Sequence, residues 1–325
     1  MICLGIESTA HTFGASVMTG KGLILSNERK LYTTKTGGLI PAKLAEHHLE
    51  YCDKIIRTAL DKAGKKPSDI GLIAFSQGPG IGNSLQIGAS MAKYLSRFLK
   101  VPLLGVNHCI AHLEIGRKEC KMEDPLLLYV SGANTQIIAY DSGRYRIFGE
   151  TLDTGLGNFL DTFARDLGLG FPGGPKIEQL AQKGKKLIDL PYVVKGMDIS
   201  LGGLQTKCKT LLKRGVNKAD LCFSVQETVF AMIMEVTERA MAHCEKKELV
   251  LGGGVACNAR LANMAKIMCR ENKYTCGIPA KQFLVDNAAM IAWTGMLMHR
   301  AGIKTEITDP IRPYERTDDV KVRWR

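Results

Sequence analysis

The sequence predicts an α/β protein built from two related lobes. Three observations point there. Strands and helices alternate along the chain, one strand–turn–strand outline occurs twice, and three glycine-rich turns follow strands. At 325 residues the chain exceeds what one core usually serves, so two domains are expected, residues 1–120 and 121–325, the second with a helical insertion. The break is placed where Cys120-Lys-Met-Glu-Asp-Pro125 is polar and ends in proline. A 45% hydrophobic and 23% charged composition, with 34 Gly and 11 Pro in no period, excludes collagen, coiled coils and disordered tails.

The first outline opens with an apolar strand at 2–6, a polar stretch at 7–12 and a second strand at 14–18. Gly20-Lys-Gly22 then turns into a third strand at 23–25. The second outline repeats this with strands at 126–130, 136–140 and 145–148, a polar stretch at 131–135 and a turn at Asp141-Ser-Gly143. Between them, apolar residues at helical spacing mark a helix over 41–63. A buried strand follows at 70–75, a helix at 84–99, a strand at 101–106 and a helix start at 108–116. The second half is more helical: 221–244, 258–270 and 287–299 read as helices and 249–251 as a strand. Met232, Met234 and Met241 read as core filling. Residues 309–325 carry no clear element.

Lys plus Arg is 44 against 32 Asp plus Glu, a net charge of +12. That excess favours an acidic partner, with nucleic acid the leading candidate, or serves as a generally basic surface. No stretch approaches the ~20 apolar residues of a membrane helix, and no basic segment precedes the first apolar run as in a secretory leader. No membrane association and a cytoplasmic location are expected. The ten cysteines include no Cys-x-x-Cys pair and read as reduced, mostly buried residues.

His108 and His112 stand four apart, on one face of a helix and close enough to share a metal ion. Cys109 follows the first histidine, so the glutamate base of a zinc peptidase is missing. A divalent-metal site and a helix start whose histidines cap backbone groups both remain open. The turns 76–82, 131–135 and 252–258 place backbone N–H groups where phosphate binds. None matches a Walker loop or a strict G-x-G-x-x-G fingerprint. Each alone is an ordinary tight turn. Together, in a duplicated α/β chain, they point to a nucleotide held between two lobes, the actin-like arrangement. Asp161 and Glu178 flank glycine-rich turns, where carboxylates bind ribose or metal, or cap helices.

Seven segments then occur in order: Glu7-Ser-Thr-Ala, Gly78-Pro-Gly80, Asn107-His-x-x-x-His112, Tyr129-Val-Ser-Gly-x-Asn-Thr135, Phe171-Pro-Gly-Gly-Pro175, Gly252-Gly-Gly-Val-Ala-x-Asn258 and Asp286-Asn-Ala-Ala-Met290. The ordered set resembles the Kae/TsaD family, which completes N6-threonylcarbamoyladenosine in tRNA. It is most similar to the archaeal and eukaryotic branch, which works within the KEOPS complex. The resemblance implies the fold of actin, sugar kinases and heat-shock chaperones (ASKHA), with an interlobe nucleotide cleft. It implies one divalent metal, Fe or Zn, held by His108, His112, Tyr129 and Asp286. ATP or threonylcarbamoyl-AMP would meet Tyr129, Val130, Ser131, Gly132, Ala133, Asp161, Gly174, Glu178 and Asn258. The implied reaction transfers the threonylcarbamoyl group from its adenylate to N6 of adenosine 37, in tRNAs reading codons that begin with adenine. The implied partners are tRNA and KEOPS subunits, including a separate small protein kinase. No general base is evident. Other readings of the same residues are a small-molecule kinase of this fold and a nucleic-acid-binding ATPase scaffold.

Two segments depart from the family pattern. Ala133 stands where a second glycine is usual, and its methyl restricts positive φ. Ile199-Ser-Leu-Gly-Gly-Leu-Gln-Thr206 differs from the usual Phe-Ser-Gly-Leu form, and no role is assigned there.

Overall fold

The computed structural model describes residues 1–34 and 39–325. The first half contains β1 (Ile2–Glu7), β2 (Thr12–Thr19), β3 (Ile24–Leu31), α1 (Pro41–Lys62), β4 (Leu72–Gly78), α2 (Gly82–Leu99), β5 (Leu103–Asn107) and α3 (His108–Cys120). The second contains β6 (Leu126–Val130), β7 (Thr135–Asp141), β8 (Arg144–Glu150), α4 (Leu156–Asp166), α5 (Gly174–Ala181), β9 (Val194–Lys195), β10 (Asp198–Ile199), α6 (Gly202–Lys213) and α7 (Lys218–His243). It continues through β11 (Glu248–Gly252), α8 (Ala259–Glu271), β12 (Thr275–Gly277), α9 (Lys281–Leu284) and α10 (Ala288–Arg300).

The two large sheets share one topology. The first has the order β3-β2-β1-β4-β5, and the second, read from its other edge, β8-β7-β6-β11-β12. In each, an antiparallel meander of three strands continues into two parallel strands. The repeated outline in the sequence is therefore a repeated sheet. Every residue of β4 is buried, as its unbroken Leu-Ile-Ala-Phe run requires of a strand covered on both faces.

Alternation along β1 divides the first core. Leu4 and Ile6 point to the layer containing Cys52 and Ile56 of α1. Cys3 points the other way, to Ala289 and Ala292 of α10. Gly5 lets α10 press on the sheet, since a Cβ there would lie 2.4 Å from the carbonyl oxygen of Ala288. Helix α3 serves both lobes. Its Ala111 and Ile115 join the first core, while Cys109, Ile110 and Leu113 pack with Leu127, Tyr129 and Val250 of the second. All of its first nine residues are buried.

Several elements exceed the sequence expectation. The third strand runs to Leu31 rather than ending near 25, because a partly exposed strand tolerates the polar run Ser-Asn-Glu-Arg-Lys. Helices α4 and α5 occupy stretches expected to be turns and carboxylates, and α6 and β12 occupy stretches with no expected element. The tail after residue 309 has one short 3-10 turn, Thr317–Asp319, and a bridge from Lys321 to Arg144. It is pinned where the indole of Trp324 donates to buried Glu114 at 2.8 Å, beside the Tyr145 hydroxyl at 2.6 Å.

Candidate metal centre and interlobe cleft

The histidine pair begins α3 because Asn107 caps it, its side chain accepting from the N–H of Ile110 at 3.2 Å. One helical turn separates the imidazoles, whose ring centres lie 4.8 Å apart. Asp286 reaches them from the turn between α9 and α10. Its Oδ1 is 3.4 Å from Nε2 of His108 and 3.5 Å from Nε2 of His112. One donor atom from each residue fits within 4.8 Å of the others. Donors about 2.1 Å from a cation at tetrahedral angles stand about 3.4 Å apart, so these spacings suit a divalent ion. Among the described residues neither buried ring nitrogen of His112 has a hydrogen-bond partner, a costly state that an ion on Nε2 would relieve for one of the two.

Glu7, at the end of β1 and fully buried, lies behind the histidines. Its Oε2 is 3.1 Å from Nδ1 of His108, and its Oε1 accepts from the backbone N–H of Thr9 at 2.7 Å. With Nδ1 committed to Glu7, Nε2 of His108 is left facing Asp286. Sequence reasoning assigned no role to Glu7. The signal was its position, a carboxylate closing the first strand of the repeat.

The electrostatics follow from burial and these contacts. Burial would lower the His108 pKa, but Glu7 and then Asp286 outweigh it and hold it well above the ordinary value. For His112, burial and the charge of His108 outweigh Asp286 and the more distant Glu7, and its pKa falls. Burial alone would raise the Asp286 carboxyl, yet the two imidazoles hold it well below the usual range. The Tyr129 ring lies 5.1 Å from that of His112. Burial, then Cys109 and Asp286, push its phenol well above its ordinary value.

Beyond the histidines the two lobes face each other. Thr9 and His11 follow β1, and the His11 ring meets that of Phe171 edge-on at 5.9 Å. The Ser131–Ala133 loop closes through Ser131 N–H to the Asn134 carbonyl at 2.8 Å, and among the described residues nothing accepts from the N–H groups of Gly132 and Ala133. Ala133 is exposed, and its φ is not positive, so its methyl costs the backbone nothing. Gly155 and Gly157 press on the loop, since added Cβ atoms would lie 2.3 Å from the Ala133 oxygen and 2.7 Å from Cα of Gly132. Gly253, at φ +89°, brings the third glycine turn against Val130. The turn after β4 differs. There the N–H groups of Gly80 and Ile81 bond Pro313 and Thr9, so they are unavailable to phosphate.

The remaining candidates line the second lobe. Asp161 Oδ1 accepts from Gly173 N–H at 2.7 Å, and burial raises its carboxyl pKa. Gly174 opens on free space. Glu178 accepts from the N–H of Ala259 at 2.8 Å. Asn258 caps α8, accepting from Arg260 N–H at 2.9 Å, and donates to Gln226. Glu178 and Asn258 therefore meet at the start of α8, while Asp161 holds the neighbouring 171–173 turn. In the departing 199–206 segment, Asp153 accepts from the N–H groups of Leu201 and Gly202 and starts α6.

Two repeated five-stranded sheets, with the His108–His112–Asp286 cluster where α3 joins them, define an α/β protein of the ASKHA class. Solved structures share this fold. An activator of 2-hydroxyisocaproyl-CoA dehydratase from Clostridium difficile matches with a TM-score of 0.55 at 12% identity, over 94% of this chain and 99% of that one. HypF from T. kodakarensis matches with a TM-score of 0.64 at 15% identity, over 94% of this chain and 48% of that one. The family model for TsaD, tRNA N6-adenosine threonylcarbamoyltransferase, matches residues 24–293, and the chain belongs to that family. The tRNA N6-adenosine threonylcarbamoyltransferase of Thermococcus kodakarensis is 51% identical over the full length of both chains. A relative from Methanocaldococcus jannaschii, named a probable bifunctional tRNA threonylcarbamoyladenosine biosynthesis protein, is also 51% identical. This chain spans 60% of that relative's length.

Proposed function

We propose that the chain transfers a threonylcarbamoyl group from threonylcarbamoyl-AMP to N6 of adenosine 37, in tRNAs that read codons beginning with adenine. The observation that carries this is the His108–His112–Asp286 cluster beside the Ser131–Ala133 loop, in a chain of this family. His108, His112 and Asp286 would hold one divalent cation, Fe or Zn, with Tyr129 as a further oxygen donor. Bound there, the ion supplies Lewis acidity toward a carbonyl or phosphate oxygen.

The chain's own residues do the rest. The free N–H groups of Gly132 and Ala133 orient the adenylate phosphate. Val130 and Ser131 form the approach to that loop. Asp161, Gly174, Glu178 and Asn258 line the pocket for the nucleoside, where ATP also fits. Glu7 fixes the ring of His108. N6 attacks the carbamoyl carbon, the bond to the phosphate oxygen breaks, AMP departs with the electron pair, and the N6 proton passes to the departing phosphate or to water. The adenosine amine is a poor nucleophile, so positioning supplies much of the acceleration.

In this reading residues 1–120 and 121–325 act as two lobes around the cleft, with α10 returning across the first sheet. The chain works on tRNA in the cytoplasm within a KEOPS assembly that includes a small protein kinase. Among the described residues no helix is long and apolar enough to cross a membrane. The test is modification of purified tRNA with labelled threonine, bicarbonate and ATP, with and without partner proteins. Label in N6-threonylcarbamoyladenosine supports the proposal. Phosphate transfer to a small molecule without tRNA, or tRNA binding with no label even with partners present, overturns it.

A further inference from the structure

The net charge of this protein is unevenly placed. Between residues 183 and 218 stand nine Lys or Arg and two Asp or Glu, a local net of +7 out of +12 for the whole chain. All nine cations are exposed. Lys209 is 3.8 Å from Asp166, and Lys218 donates to the carbonyl of Leu167. Lys183, Lys185, Lys186, Lys207, Lys213 and Arg214, like Lys195 on β9, have no ion pair among the described residues.

These six residues converge on one corner. The backbone N–H groups of Lys185 and Lys186 both donate to Asp220 in the first turn of α7, at 2.7 and 3.1 Å. Lys213 and Arg214 end α6, and a short turn separates them from the same first turn. The apolar face of α6, Leu204, Cys208 and Leu211, is buried in the second lobe. The exposed side chains are Thr206, Lys207, Lys209, Thr210, Lys213 and, just past the helix end, Arg214. Such a surface lacks the apolar stripe of a membrane-lying helix and offers hydroxyls and cations, the groups that bind phosphate oxygens.

The corner is also tied to the cleft. Helix α6 starts where Gly202 N–H donates to Asp153 at 2.7 Å. Asp153 lies two residues before Gly155, which packs on the Ser131–Ala133 loop. Lys207 and Lys213 stand about 8 and 17 Å along the helix axis from Gly202.

We propose that the outer face of α6 with the 183–186 segment is a docking surface for the sugar–phosphate backbone of RNA outside the reacting loop. It holds the flanking duplex while the target base enters the cleft. This rests on the proposed reaction, with tRNA as the acceptor.

The test uses two triple variants of the full chain, Lys183→Gln/Lys185→Gln/Lys186→Gln and Lys207→Gln/Lys213→Gln/Arg214→Gln, with metal content as the folding control. Each raises the KM for tRNA about tenfold and leaves kcat within about twofold. Each also lowers the slope of log affinity against log salt by about two, because each phosphate contact contributes about 0.7–0.9. Unchanged KM and slope in both variants, while the wild type modifies tRNA, overturn the surface assignment. So does loss of a protein partner with unchanged tRNA kinetics. A wild type that binds but never modifies tRNA overturns the proposed reaction instead, and a salt slope still reduced in the variants would leave the surface standing.

Discussion

Glu7 Oε2 stands 3.1 Å from Nδ1 of His108, a carboxylate–imidazole contact sealed inside the protein behind the proposed cation. Such a contact fixes ring orientation and raises ligand basicity. Glu7→Gln keeps the size of the side chain and removes its charge. Metal affinity should fall about 10- to 100-fold while the circular dichroism spectrum is unchanged. Competition with a chelator reads the affinity, and wild-type affinity in the variant would remove Glu7 from the design.

The unpartnered ring nitrogens of His112 make metal binding a stability effect. A cation at about 1,000 times its Kd stabilises a folded chain by about 4 kcal/mol. Thermal melting of chelated protein should therefore shift upward when Zn or Fe is added. His112→Ala and Asp286→Ala should show little or no shift. An equal shift in Asp286→Ala would remove that residue from the ligand set.

The Ser131–Ala133 loop rests on Gly155 and Gly157, and neither Gly132 nor Ala133 has a positive φ. Gly155→Ala places a methyl against the Ala133 carbonyl, and the clash should cost about 1–3 kcal/mol and weaken adenylate binding. Ala133→Gly changes an exposed residue with ordinary φ, so its kcat/KM should stay within about twofold. Calorimetric titration with a non-hydrolysable adenylate separates the two. A strong gain in affinity from Ala133→Gly would show that the methyl obstructs the ligand.

The buried Glu114 collects the Tyr145 hydroxyl, the Trp324 indole and the Arg117 guanidinium. Glu114→Ala leaves the buried Tyr145 hydroxyl and the half-buried Arg117 and Trp324 donors without their acceptor and should destabilise by about 2–3 kcal/mol. Tyr145→Phe, which leaves two partners in place, should cost about 1–2 kcal/mol. Urea unfolding midpoints rank them, and equal costs would contradict the shared-acceptor picture.

Much of this molecule was legible in the chain because the physics was local. The repeated sheets announced themselves through buried apolar strands and turn glycines, and His108 and His112 through their i, i+4 spacing. Asp286 was different. It stands far along the chain from the histidines, and only its motif, through family resemblance, linked it to them. Glu7 escaped assignment because its partner lies on another element, and local spacing cannot reveal a hydrogen bond across a sheet end. Helix α6 was hidden by paired glycines at its start, where Asp153 supplies the capping that the local sequence lacks. Asn258 was read as a ligand contact, and its amide oxygen also serves as a helix cap.

The most direct test pairs metal stoichiometry with single-turnover transfer from threonylcarbamoyl-AMP to tRNA, in the wild type and in His112→Ala. The account predicts one bound cation per chain and transfer in the wild type, and neither in a folded variant. Transfer at the wild-type rate by metal-free His112→Ala would contradict it.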